Sequence, residues 1–389
     1  MMITEESKQI PLKGSYDVIV IGGGVAGVAA AVAASRQGKT VCLVEREFEL
    51  GGLATIGIVA IYLPLCDGKG HQLIKGLSEE LLKESIKYGS GEIPSCWKNA
   101  GDISEREKNR YKVRFDPPSF AYALDRMIID NNIKLMLGTI FSKAVLVENE
   151  IKYVILENKE GRFALEGKMF IDTSGDADLA FVAGEDTIEY NENRRTGWYY
   201  SYDEEEYKLN IVNDNLYAPV KDKSALYSGI NNDDVTRFCI DSRKMVMEHA
   251  NSQEKKRIVT QIATIPQLRM TRRLQGLYEL DEEDESKEFK DSVWCFGDWR
   301  KAGPRFYLPF STMIGKCKNL IVAGRCISAR NSAWDIVRAI PVCALSGEVA
   351  GIASSLKIEQ KLDSVRDINI DMLREHFEKE NNILYFGRK

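Results

Sequence analysis

The chain has 389 residues, 44% of them hydrophobic and 29% charged, with a formal net charge of −5. That length buries a sizeable core and suits two lobes; the slight acidity gives no general attraction to nucleic acid or to acidic membranes. The eight cysteines are scattered, with no CxxC and no CxxxxC pair, so free thiols in a reducing cytoplasm are expected rather than a disulfide framework.

Residues 1–15 lack a basic stretch followed by an apolar one and do not read as a signal peptide. The apolar run 18–21 predicts a buried strand, too short and too soon broken by glycine to span a bilayer. A sharp turn at Gly22, Gly23 and Gly24 follows, then a small-residue helix over 25–37 containing Gly27, closed by Gly38. A second strand over 40–44 ends at Glu45. This strand, glycine turn, helix, strand and acid form one unit with a chemical reason for each part. Gly22 permits the turn, Gly24 lets backbone approach a pyrophosphate, and Gly27 seats the helix close on the sheet. The helix start at Val25 and Ala26 offers free N–H groups to phosphate. Glu45 can accept hydrogen bonds from ribose hydroxyls.

The stretch 49–76 is rich in glycine and apolar residues, and suits backbone lying against a flat ligand at Gly52, Leu53, Ala54 and Thr55. A buried loop is the plainer reading of the same residues. An amphipathic helix is predicted over 77–87, a polar loop over 89–112, and a helix opening at Asp116-Pro117-Pro118. Short strands follow at 134–137, 141–148, 151–158, 162–165 and 168–171, the last running into DTSGDADLA, again strand, turn and helix. From 184 to 303 aromatic and charged residues rise, which reads as an inserted domain. Strand character returns at 307–313 and 319–323, then Gly324-Arg325, a small-residue helix over 340–356, and a charged helical tail. No His, Cys, Asp or Glu spacing reads as a metal site.

Four stretches carry a family resemblance: GGGVAG with Glu45-Arg46, GGLAT, IDTSGDADLA and LIVAGRCIS with its following helix. The chain resembles FAD-dependent oxidoreductases of the broad group that includes succinate dehydrogenase and fumarate reductase flavoproteins, L-aspartate oxidase and glutathione reductase. It is most similar to a bacterial family known simply as FAD-dependent oxidoreductases. The resemblance implies an α/β fold. A Rossmann-like FAD-binding domain, a parallel sheet with a three-stranded crossover, would span 14–185 and 304–356, with 76–117 peripheral. An inserted mixed α/β substrate or cap domain would span 186–303, and a helical tail 357–389.

It also implies roles. Gly22, Gly24, Val25, Ala26 and Gly27 would hold the pyrophosphate of FAD, Glu45 the adenosine ribose, and Arg46 would lie beside the adenosine. Residues 52–55 would run along the ribityl chain or isoalloxazine, Ile140 or Phe141 would touch adenine, and Ser174 and Gly175 would close the adenine side. Gly324-Arg325 stands where relatives carry Gly-Asp, a departure that leaves Asp335 as a substitute acid or Arg325 as a direct partner of the pyrophosphate. The helix end near Val342 would face the flavin N1–C2 carbonyl and favour the anionic reduced form.

The implied reaction is hydride transfer between a small polar substrate and flavin N5. His71 in DGKGHQ reads either as the proton carrier or as an ordinary loop histidine. Arg269 and Arg272, with Arg273, and also Arg305, suit an anionic substrate, although salt bridges to the abundant acids explain them equally. Tyr62, Tyr307 and Trp334 read as pocket walls or as core, and Cys66 or His71 as sites of covalent flavin attachment in a minority reading. No second GxGxxG is present, so electrons would pass through a second substrate in the same pocket, oxygen or a redox partner protein; a homo-oligomer is the other partner expected. The rival functions are an electron-transfer subunit of a complex and an enzyme using FAD without net redox chemistry.

Overall fold

A computed structural model describes residues 3, 8–98, 101–215, 225–253 and 257–379. The strand Leu12–Ile21 pairs in parallel with Val41–Val44 on one side and Gly161–Asp172 on the other. Lys134–Met136 extends this sheet beyond Val41–Val44, and Leu320–Val322 lies parallel to the end of Gly161–Asp172. Val18 to Ile21 and Val41 to Val44 are buried throughout, as aliphatic strands covered on both faces must be.

The two short strands predicted at 162–165 and 168–171 are one strand, Gly161–Asp172. Its first half pairs antiparallel with Glu150–Asn158, which pairs with Ile140–Val147. This meander is the three-stranded crossover, and the fold is the mixed α/β arrangement with a parallel-rich sheet that the resemblance implies. Register decides where ligands can gather. Ile21 lies opposite both Val44 and Asp172, and Asp172 lies opposite Val322. Four strands therefore end together, and the loops at 22–24, 45–47, 173–176 and 323–325 meet at one sheet edge, the crevice where open α/β sheets bind ligands.

The helix Val25–Arg36 is buried from Val25 to Ala34, because the sheet covers one side and Ile340–Gln360 the other. Glycine and alanine set that distance. A Cβ on Gly347 would stand 2.1 Å from the Ala26 carbonyl oxygen, and one on Gly351 2.4 Å from that of Ala30. The two small-residue helices predicted to resemble each other thus pack directly together.

The predicted helix at 77–87 is Gly76–Ile86, and its Leu77, Leu81 and Leu82 join the main core. Two short helices, Ser95–Lys98 and Ile103–Lys108, stand in the predicted loop. Between 196 and 262 the strands Thr196–Tyr202, Tyr207–Asn213 and Ile258–Ile262 form a separate antiparallel sheet packed on the helix Asn232–Asn251. The strand predicted at 307–313 is Arg305–Pro309, and it pairs with Ser292–Gly297 rather than with the main sheet. That hairpin crosses the 303/304 boundary drawn from composition, and its Trp294 packs edge-on against Phe377 of the helix Ile370–Lys379. The last part of the predicted tail, 380–389, lies outside the described residues.

Among the described residues no single helix is long and apolar enough to cross a membrane. Asn331–Val337 and Ile340–Gln360 pass only as a pair bent by 78°.

Candidate functional site

The gathered loops enclose a cleft of about 1120 Å³. Its lining comes from Gly22, Gly24, Val25 and Ala26, from Glu45 and Arg46, from Gly51 to Ala54, and from Thr173 to Asp176 with Gly324 and Arg325. Gly229, Val235, Ile265, Pro266 and Leu268, together with Arg338, Ile340 and Cys343, complete the lining.

Gly22 turns the chain at φ +105°, and a Cβ there would sit 2.5 Å from the Thr173 carbonyl oxygen. At Gly27 a Cβ would fall 1.8 Å from the Gly22 carbonyl oxygen, so Gly27 seats the helix and lies outside the cleft lining. Gly24 differs from both. Its backbone is extended (φ −65°, ψ 179°), and a Cβ there would meet no chain atom within 4 Å. That open space is the room a ligand needs to approach the backbone. Gly24 is also the N-cap of Val25–Arg36 and supplies no side-chain cap, and Ala339 does the same for Ile340–Gln360. Two helices thus present their first-turn N–H groups to one cleft, each with a partial positive charge.

Glu45 is buried and accepts hydrogen bonds from the N–H groups of Gly23 and of Glu47, the latter at 2.8 Å. Burial pushes its carboxyl up, opposed by those two N–H donors. An ionised carboxylate keeps lone pairs for ribose hydroxyls. A side pocket of about 480 Å³ continues from Gly22, Glu45, Arg46 and Ser174 to Thr139, Ile140, Phe141 and Asp178, where the resemblance puts adenine.

Arg325 answers the departure from Gly-Asp. Its guanidinium donates to the carbonyl of Gly175 at 2.8 Å, to that of Leu268, and to the Asp176 carboxylate at 2.6 Å. Asp176 also accepts from Thr271 Oγ1 and lies 4.0 Å from Arg46. Asp335 does not line the cleft; it pairs with Arg338 at 2.7 Å and Arg300 at 3.5 Å, so it does not replace the missing acid.

Several expected residues sit elsewhere. Val342 is buried in the core, while Ile340 and Cys343, three apart on one face of the helix, reach the cleft. Thr55 is buried with its hydroxyl on the Leu50 carbonyl, and Gly51 takes its place in the lining. His71 and Arg305 share Asp67, at 3.2 and 2.7 Å, and neither lines the cleft. Cys66 is likewise buried away from it, its sulfur accepting from the Tyr111 N–H, so neither residue is placed for a covalent link there. Arg272 is buried on Asp178 at 2.7 Å and over the Phe181 ring, held as a structural tie. Strand alternation sends its neighbour Arg273 the other way, to Glu279. Tyr62 is a core residue bonded to the Ser78 carbonyl, and Tyr307 lies on the hairpin.

Arg269, Arg273 and Trp334 line a second cavity of about 1130 Å³, with Tyr190, Arg194 and Arg330. No motif announces Pro266, Leu268, Arg338, Cys343 or Tyr190 as lining residues. Burial pushes the Cys343 thiol up to about 12, so it is protonated at neutral pH.

Residues 17–197 and 185–377 match the model of a family described as FAD dependent oxidoreductase. Over 196 residues the chain is 28% identical to digeranylgeranylglycerophospholipid reductase of Methanoculleus marisnigri, covering 46% of this chain and 43% of that one. Over 93 residues it is 34% identical to thioredoxin reductase of Ureaplasma parvum, covering 24% of this chain and 28% of that one. The matches span less than half the length of either relative. A solved structure of p-nitrophenol 4-monooxygenase from Pseudomonas putida superposes with a TM-score of 0.53 at 12% identity, over 94% of this chain and 84% of that one, a likeness of fold. With both matched segments together covering most of its length, the chain belongs to the FAD dependent oxidoreductase family and is an oxidoreductase whose cofactor is FAD.

Proposed function

We propose that the protein moves a hydride between a small polar organic substrate and FAD lying along the main cleft. The observation that carries this reading is the pair of helix starts without side-chain caps opening into one cleft. Bound FAD supplies N5 as the hydride acceptor or donor. The N–H groups of Val25 and Ala26 would hold the pyrophosphate, Glu45 the ribose, and Ile140 and Phe141 the adenine. The start of Ile340–Gln360 would set its positive end against the flavin, where charge grows on reduction.

In this reading His71 does not carry the proton, because it does not line the cleft. Among the described residues the cleft is lined by no His, Lys or Tyr, and its acids are Glu45, Glu47 and Asp176, the last held by Arg325. Arg338 and Cys343 also line the cleft, and burial keeps the Cys343 thiol protonated at neutral pH. The substrate carbon would give up its hydride to N5 while the accompanying proton leaves to water. Substrates that need no strong base at the protein, such as alcohols with acidified hydroxyls, amines and activated alkenes in the reverse direction, suit such a site.

The test is the visible spectrum of the purified protein under anaerobic conditions while acids, amines and alcohols are added. Bleaching by one compound, slowed when deuterium replaces hydrogen at its reacting carbon, supports hydride transfer. A flavin that bleaches with no such isotope effect at any step, or a protein that takes up no FAD, overturns it.

A further inference from the structure

The side pocket that continues from the cleft holds one acid whose bonding is incomplete. Asp178 opens the helix Asp178–Val182 and lines this pocket with Thr139, Ile140 and Phe141. Its position is fixed twice. Its backbone N–H donates to Ser174 Oγ at 3.0 Å, and its Oδ1 accepts from Arg272 at 2.7 Å. Arg272 is itself held: it is buried, donates to the Asp176 carbonyl at 3.0 Å and lies 4.1 Å over the Phe181 ring. The second carboxylate oxygen, Oδ2, accepts no hydrogen bond among the described residues. The Asp178 side chain stays 38% exposed, so a ligand in the pocket can reach that oxygen.

The other polar side chains of the pocket are committed. Thr139 Oγ1 donates to the Leu137 carbonyl at 3.1 Å and accepts from Asn158 at 3.4 Å. Ser174 Oγ donates to Asp172 at 2.7 Å and accepts from the N–H groups of Asp176 and Asp178. Glu45 takes the N–H groups of Gly23 and Glu47 and, in the proposed function, the ribose. Arg46 lies 3.5 Å from Glu47 and 4.0 Å from Asp176. Ile21, Val44, Ile140 and Phe141 supply apolar surface. A flat heteroaromatic ring suits those walls, and the side-chain group left to read its edge is a carboxylate, which when ionised only accepts hydrogen bonds.

We propose that Asp178 selects the base of the flavin dinucleotide: its open oxygen accepts a hydrogen bond from the exocyclic amine of adenine and rejects a base that carries an oxo group there. This rests on the proposed function, which places the adenine of FAD in this pocket. Adenine presents a donor at that edge, so the carboxylate gains a charge-assisted bond. An oxo group in the same place sets two acceptors against each other and leaves both unsatisfied. The tie of Oδ1 to Arg272 holds the carboxylate in place to make that distinction.

The test is a competition. The full chain is equilibrated with equal concentrations of FAD and its hypoxanthine analogue, in which an oxo group replaces the amine. The dinucleotides retained through gel filtration are released by acid and quantified by chromatography. Burial first, then Asp176 and Asp172, opposed by Arg272 and Arg46, push the Asp178 carboxyl up to about 6, so at about pH 8 it is ionised. FAD should then be retained at least about tenfold over the analogue. In Asp178→Asn the amide oxygen stays on Arg272 and the NH2 group takes the place of the open oxygen, so the preference should vanish or reverse. A purely structural role for Asp178 would weaken both dinucleotides alike and leave their ratio unchanged. Should Asp178→Asn fail to fold, the unmodified protein at about pH 5 takes its place: Asp178 gains a proton, can donate to the oxo group, and the preference should shrink. Glu45 faces the ribose common to both dinucleotides and cancels from the ratio. Equal retention by the unmodified protein at about pH 8, or an unchanged preference in the variant or in the pH measurement that replaces it, overturns the proposal and leaves the cofactor reading intact. A protein that retains neither dinucleotide overturns both.

Discussion

Gly24 and Gly27 lie three residues apart in one glycine motif, yet the geometry assigns them different work, and alanine at each separates ligand contact from folding. The Gly27 Cβ would meet the Gly22 carbonyl oxygen at 1.8 Å and Thr173 Oγ1 at 2.8 Å. Relieving that overlap pushes the helix off the turn, and overpacking of this kind costs about 1–3 kcal/mol. The Gly24 Cβ would meet no chain atom within 4 Å, and its φ of −65° is open to any residue. The folding cost there is limited to replacing glycine by alanine at an N-cap, roughly 0.5–1 kcal/mol. The same methyl group fills the space the pyrophosphate needs, so FAD affinity should fall about 10–100-fold, or ~1.4–2.7 kcal/mol. The assay is thermal unfolding of the FAD-free forms, paired with FAD titration by flavin fluorescence. Gly27→Ala should unfold several degrees early, and Gly24→Ala within about 2 °C of the parent while binding FAD weakly. A Gly24→Ala protein that holds FAD as tightly as the parent would refute the placement of the pyrophosphate.

Arg325→Ala removes bonds to Gly175, Leu268 and Asp176 and leaves Asp176 with the Thr271 hydroxyl and, at 4.0 Å, Arg46. Because Arg325 is only 17% exposed, a loss of about 2–3 kcal/mol is expected in urea unfolding without FAD; an unchanged midpoint would show the ties to be weak. Asp178 is pushed up to about 6, first by burial and then by Asp176 and Asp172, with Arg272 opposing. A folded carboxyl that holds its proton more tightly than the unfolded one adds stability below its unfolded value and loses it as pH rises through its folded value. The melting temperature should therefore gain less between about pH 4 and 6 than in Asp178→Asn, by a margin reduced because the side chain is 38% exposed. Identical pH slopes would contradict the shift. Cys343, with its thiol pushed up to about 12, should resist iodoacetamide at pH 8 by mass spectrometry, and rapid alkylation would mean that the cleft end opens.

The sequence by itself determined the nucleotide unit at 16–46, the ends of the parallel strands and the cofactor family, because those features are local. A turn of Gly22 and Gly24 between an aliphatic strand and an alanine helix has few other uses, and period and spacing carry it without tertiary help. The packing of Val25–Arg36 on Ile340–Gln360 was half legible: small residues announced close contact, but not with what. The second cavity was illegible for a physical reason. Arg269, Arg272 and Arg273 are neighbours in the chain, yet alternation along Arg272–Leu274 puts Arg272 on Asp178 and Arg273 toward the second cavity, which Arg269, ahead of the strand, also lines. His71 lies in a glycine loop, yet it shares Asp67, four positions away, with Arg305, which reaches that carboxylate from 238 positions along the chain. Arg338 and Cys343 reach the cleft only because the chain bends between Asn331–Val337 and Ile340–Gln360. Which side chains share a cavity depends on where distant segments cross, and only the tertiary structure decides that.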